Sequence, residues 1–227
     1  MLRKLGSSVI FLLLAGLAAT FSARGDAPLT VISQPSAAYK AATTKIDISA
    51  IKDGTSDDEI SGGGLTVTFN TTMDKLSVPD TWGTWNSPPA TESKTPPILF
   101  SDGFSSILMG LSMPEKTFGF EAQPDLSDNE KLTATFFDSS DKTIGSITLT
   151  VSGNAGALLF AGSSNTPISS VTLTDLSGRD FAIANVRFAN TPFVPTPEPA
   201  AFVLEPLAIL LVGGGLAWIG RRSPSRS

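Results

Sequence analysis

The chain has no cysteine and no histidine in 227 residues. Without thiols it has no disulfide to staple a fold and no thiolate nucleophile. Without imidazole, Ser-His-Asp and Cys-His catalysis are excluded, together with the common zinc sites. The chemistry left is carboxylate work, a Ser-Lys pair, or calcium held by oxygen ligands. Positive charge is scarce as well. Residues 26–190 hold ten basic and nineteen acidic side chains, a net charge of −9. Such a segment repels phosphate backbones and anionic lipids, so nucleic acid is not an expected partner. Sustained helical periodicity is also missing between residues 26 and 190.

The two ends carry what the middle lacks. At the N-terminus, Arg3 and Lys4 precede an apolar run over residues 9–19. That run is too short to span a bilayer and has the size of a secretory signal core. Small residues are wanted one and three positions before a cleavage site, and Ala23 and Gly25 meet that need, with Asp26 following. Residues 1–25 therefore read as a signal peptide, the alternative being a retained anchor. At the C-terminus, residues 200–219 are mostly apolar. As a helix they would measure about 30 Å, the hydrocarbon thickness of a membrane. Glu205 lies close enough to one end to be tolerated, and Arg221 and Arg222 form a basic stop that stays cytoplasmic. Residues 191–199 hold several prolines and read as a semi-stiff spacer. Residues 26–190 are then an ectodomain, and 200–227 a transmembrane helix with a basic tail.

Pro197-Glu198-Pro199, one apolar helix and a terminal arginine pair, in that order, resemble the PEP-CTERM sorting signal of exported bacterial proteins. The resemblance implies a precursor anchored in the inner membrane, a membrane-embedded processing peptidase (exosortase) as partner, and a final place at the cell surface or outside it. It also implies that Pro197, Glu198 and Pro199 are what the peptidase reads. The alternative is an ordinary tail anchor with a proline-rich juxtamembrane linker.

The middle reads as all-β. Residues 46–49, 65–69, 143–151 and 171–174 alternate apolar and polar, which puts one face on a core and one in water. Further strands are expected at 117–121, 131–137, 157–161, 168–174 and 180–188, with a polar turn at 138–142. This spacing predicts an antiparallel β-sandwich. The run from about 100 to 190, with Phe118, Phe120, Glu121, Phe160, Ile183 and Phe188 among its recognisable pieces, resembles the jelly-roll-like sandwiches that precede such sorting signals. Some of those look like carbohydrate-binding modules. Residues 70–106 hold five prolines and two of the three tryptophans and are expected to form a long loop, either a lid or a binding surface.

Candidate sites follow. Trp82 and Trp85 could make a sugar-stacking platform or cap the core. Asp53, Asp57, Asp58 and Glu59 are rich in oxygen ligands for Ca2+, though without EF-hand spacing, and the glycines after them favour a solvated turn. Glu115 with Glu121, or Glu92 with Asp102, would serve as carboxylate pairs only if the fold made them converge. Ser93 beside Lys94 has no more support than chance. The expected function is that of an exported surface or matrix protein without catalysis. The alternative is a module that binds polysaccharide. Replacing Pro197, Glu198 and Pro199 together by alanine is expected to leave the precursor uncleaved in the inner membrane. Immunoblots of membrane and surface fractions read the result.

Overall fold

The computed structural model describes residues 28–125, 128–154 and 156–195. Ala23, Gly25, the Pro197-Glu198-Pro199 motif, the apolar run after it, and Arg221 and Arg222 all lie outside the described residues. Among the described residues no helix is long and apolar enough to cross a membrane.

Ten strands and one short helix make up the fold: β1 (Thr30–Ile32), α1 (Ala37–Ala42), β2 (Thr44–Lys45), β3 (Ser56–Gly62), β4 (Leu65–Ser77), β5 (Pro97–Phe100), β6 (Ser106–Pro124), β7 (Asn129–Phe137), β8 (Thr143–Ser152), β9 (Leu158–Asp175) and β10 (Phe181–Ala189). Every strand pairing among them is antiparallel. The first sheet runs β3-β4-β6-β9-β7-β8, using the start of β6 and the end of β9. The second uses the other halves of the same two strands, flanked by β1 on one side and by β10, β5 and β2 on the other. The result is an all-β, sandwich-like fold.

Parity along the strands explains how one strand can serve both sheets. In β6 the core takes Ile107 and Met109, then Phe118, Phe120 and Ala122. The inward residues switch from odd to even. A strict period of two forbids that unless a residue is inserted. The β6–β9 register shifts between Gly110 and Glu115 and again before Thr117, where the insertion is needed. In β9 the switch runs from Phe160 and Ile168 to Val171 and Leu173. In β10 it runs from Phe181 and Ile183 to Val186 and Phe188, across a shift between Ala184 and Arg187 that holds Asn185 at φ 51°. Each bulge bends its strand so that both halves face one core of phenylalanine and branched aliphatic side chains.

Several expectations change. The runs at 157–161 and 168–174 are one strand, β9. Residues 46–49 bury Ile46 and Ile48 alternately, yet lie outside any strand, held in part by Ile46 N–H donating to the Val186 carbonyl at 2.9 Å. The proline-rich region is shorter as a loop than expected. β4 continues to Ser77 and β5 starts at Pro97, which leaves 78–96 between them. The spacer expected from residue 191 onward starts attached. Thr117 Oγ1 donates to the Thr191 carbonyl at 2.9 Å, and the Phe193 amide donates to Ser163 Oγ at 2.7 Å. Helix α1 is capped by Ser36, whose Oγ accepts from the Tyr39 amide at 3.1 Å.

Glycine matters most at Gly119, where helix and sheet touch. A Cβ there would come within 2.8 Å of both Ala161 Cα and Tyr39 Oη. Both neighbours are buried, so neither has room to retreat. Gly119→Ala is expected to cost about 1–3 kcal/mol by overpacking, read as a lower urea midpoint at unchanged slope.

Candidate functional site

The second sheet shows mostly small and polar side chains on its outer face. Gly119, Glu121 and Gln123 come from β6, Ala182, Ala184 and Arg187 from β10, and Leu159, Ala161 and Ser163 from β9. Such a face has too little apolar bulk to form a core by itself. The chain covers it with α1 and the 78–96 loop. Tyr39 packs with Leu159 and Ala161, while Val78, Trp82 and Trp85 pack with Ile98, Ala157, Ala182 and Ala184.

At the centre of this covered face lies Glu121, fully buried. Its Oε2 accepts from Trp85 Nε1 at 2.9 Å and from Asn185 Nδ2 at 2.9 Å, and its Oε1 accepts from the Glu92 amide at 2.6 Å. Two of these donors belong to the loop. The third projects from the β10 bulge, whose positive φ turns Asn185 toward the carboxylate. Burial pushes the Glu121 carboxyl up to about 7, against the downward pull of its three donors and with a smaller upward push from the Glu92 charge. Glu92 itself forks onto Arg187: Oε1 meets Nε, and Oε2 meets Nη2 at 3.1 Å. Arg187 Nη1 also donates to the Lys40 and Thr43 carbonyls at 3.2 and 3.1 Å, which ties the loop to α1. Burial holds the Tyr39 hydroxyl well above its ordinary range.

Trp82 and Trp85 are therefore placed as cover for the sheet, at 8% and 4% exposure. The indole of Trp82 packs against Phe100 with ring centroids 5.3 Å apart, and its edge borders an open groove of about 310 Å³ beside Thr84 and Asp125. The expected carboxylate pairs do not form as such. Glu92 meets Glu121 through its amide and Arg187 through its carboxylate, and no bond joins it to Asp102. Glu115 lies at the β6 bend, away from the loop that covers Glu121. Among the acids singled out for calcium, Asp53 is engaged by Lys75 and by Ser77 Oγ, and these bonds hold its carboxyl below the ordinary range. Asp57 and Glu59 stand on the edge strand β3. Among the described residues no group of three acids is arranged to hold a metal ion.

Sequence reasoning missed the outer face of the first sheet, which nothing in the described chain covers. Thr148, Thr133, Thr174 and Ser106 face one another in line across β8, β7, β9 and β6. Ser146, Thr135, Thr172 and Leu108 form the next line. Hydroxyls pair across the strands: Thr133 with Thr148 at 2.9 Å, Ser106 with Thr174 at 2.8 Å, and Ser146 with Thr135 at 3.1 Å. Adjacent strands stand about 4.8 Å apart and successive outward residues about 6.7 Å apart, so the hydroxyls form a regular grid. None of these eight residues is charged. The signal for this grid is a Thr-X-Thr triplet at 66–68, 133–135, 148–150 and 172–174, one in each of four strands.

No family model matches the chain, and no curated protein does. Solved structures do match, distantly. One is a family 29 carbohydrate-binding module, 12% identical over 65% of this chain and 88% of that one, with a TM-score of 0.33. A lysine-to-alanine mutant of CBM29-2 is 13% identical over 67% and 97%, again with a TM-score of 0.33. A third is the CBM22-1 and GH10 modules of a Clostridium thermocellum endo-1,4-beta-D-xylanase with xylohexaose, 11% identical over 46% of this chain but 24% of that one, with a TM-score of 0.30. No residue role is carried across a likeness this distant.

The Glu121 carboxyl generates a pH prediction. The folded state holds this proton up to about pH 7, whereas an ordinary carboxyl loses it near 4.5. Between those values the folded state binds more protons, so stability falls as pH rises through the window. At about 1.4 kcal/mol per tenfold change in proton affinity the fall is about 3 kcal/mol. Urea denaturation from pH 4 to 8 is expected to show this component in the native chain and to lack it in Glu121→Gln.

Proposed function

We propose that the chain is an exported, non-catalytic surface protein that holds neutral polysaccharide against the outer face of its first sheet. The observation that carries this reading is the uncharged hydroxyl grid. A domain with nineteen acidic and ten basic residues keeps every charge out of these two rows. Lys131 and Glu59 stand at the borders, on the row beyond Thr133 and on the edge strand β3. An uncharged face rich in donors and acceptors complements a neutral glycan, and it offers no opposite charge to a phosphate or a basic peptide.

Magnitudes restrict the ligand to a polymer. A neutral hydrogen bond exposed to water nets about 1 kcal/mol or less. Association costs at least about 4 kcal/mol in lost freedom. One sugar touching two or three hydroxyls does not recover that cost, whereas a chain lying across several strands meets a new set on each. The export part of the reading rests on the signal-like N-terminus and on Pro197, Glu198 and Pro199 before the apolar run and Arg221-Arg222. The non-catalytic part is supported by the use of Glu121 and Glu92 as fasteners beneath a cover.

Alanine at Trp82 or Trp85 would test packing, because both indoles are buried. The discriminating variant is Thr148→Glu with Thr172→Glu, two outward positions that are not direct cross-strand partners. In a pull-down of the mature chain on insoluble neutral polysaccharides, this double variant is expected to lose about tenfold or more in retention, equivalent to about 1.4 kcal/mol. Its far-ultraviolet spectrum should stay native. Retention equal to that of the parent chain would refute the proposal.

A further inference from the structure

Among the described residues four strands have a ladder partner on one side only: β1, β2, β3 and β8. A free edge exposes unpaired amides and carbonyls, and native proteins guard it with charge, proline or brevity. Three of these edges are guarded. β1 has three residues, and β2 has two, one of them Lys45. β3 carries Asp57, Asp58 and Glu59, all exposed.

β8 has none of these devices. It is ten residues long, with no charged side chain and no proline. Six of the ten are β-branched, the type that fits a pleated ladder. Its one register shift against β7 falls at its start, between Thr143 and Gly145, so the rest of the edge runs regular. Ser146, Thr148 and Thr150 are exposed along it. A strand of this kind is built to receive another strand.

A second copy of β8 fits this edge in one orientation. Laid parallel, two copies would set Lys142 beside Lys142, just before each strand. Laid antiparallel about a two-fold axis, the two lysines stand about 40 Å apart. Register is restricted as well. A slip of one residue would set outward hydroxyls against inward aliphatic side chains. With Thr148 on the axis, Ser146 faces Thr150 of the second copy, and Ile147 faces its Leu149. Hydroxyl then meets hydroxyl, and aliphatic meets aliphatic. About nine residues of each copy face one another, which gives about nine ladder hydrogen bonds.

We propose that the chain dimerises edge to edge through β8 in this register. The contact is isologous and consumes both unguarded edges, so assembly closes at two copies. The first sheets of the two copies become one sheet, and the row Ser106, Thr174, Thr133 and Thr148 continues into its counterpart. The dimer stands independently of the polysaccharide reading.

Sedimentation equilibrium of the mature chain tests it. The parent is expected at twice the monomer mass at micromolar concentration. Two variants then change the same two positions. Ser146→Glu with Thr150→Glu sets like charges opposite across the axis, and is expected to raise the dissociation constant about tenfold or more. Ser146→Lys with Thr150→Glu sets opposite charges there, and is expected to restore the parent value or tighten it. In both, the acid at position 150 faces Lys131 of its own chain, which favours the monomer fold. Far-ultraviolet spectra should stay native. A monomeric parent overturns the proposal. So does a dimer that the double-glutamate variant leaves intact, or a loss that the lysine–glutamate variant does not recover. Thr148 lies on the axis, so Thr172→Glu alone separates this proposal from the polysaccharide reading. It stands two strands from the edge and is expected to leave the dimer intact while weakening retention on polysaccharide.

Discussion

The fold depends on one buried carboxylate. Glu121 joins three pieces of chain: the tryptophan end of the 78–96 loop through Trp85, its far end through the Glu92 amide, and the β10 bulge through Asn185. Removing a carboxylate from water is expensive, and strong donors must offset it. That need fixes where the loop lies. With the loop fixed, Glu92 comes within reach of Arg187, and Arg187 reaches the carbonyls at the end of α1. The second sheet thus carries a third layer, organised by polar groups where apolar side chains are few.

The bulges perform the complementary task. Three strands reverse which parity faces inward, and each reversal coincides with a register shift or a long bent strand. A sandwich built this way uses the same chain in both sheets, so its two layers cannot slide apart independently. Buried polar groups stand at the same points. The β10 bulge supplies Asn185 to Glu121, and the β6 bend holds the buried Glu115 between two register shifts. Local irregularity in a ladder frees a side chain from alternation, and here those side chains carry the polar chemistry.

Much of the sheet structure was legible in the sequence, because alternation over 65–69, 131–137, 143–151 and 171–174 directly records one wet and one dry face. The sandwich follows from that record. What escaped has physical causes. Helix α1 spans six residues, less than two turns, too few for periodicity to register. β9 read as two strands because its bulged middle, Ser163 to Pro167, breaks alternation. Trp82 and Trp85 gave an ambiguous signal, since a tryptophan in a proline-rich loop suits a lid and a platform equally. Tertiary contacts decide for burial: Trp85 bonds Glu121, and Trp82 lies against Phe100. The Glu92–Glu121 neighbourhood depends on a loop folding back over a sheet, and residue spacing holds no trace of that. The threonine triplets were in plain view, but alternation was used only to find the inward residues.

Those outward threonines and serines have a further implication. Where no side chain bears a formal charge, dissolved ions have nothing to screen. The adhesion proposed for such a surface would therefore be indifferent to salinity, the same in dilute water and in brine.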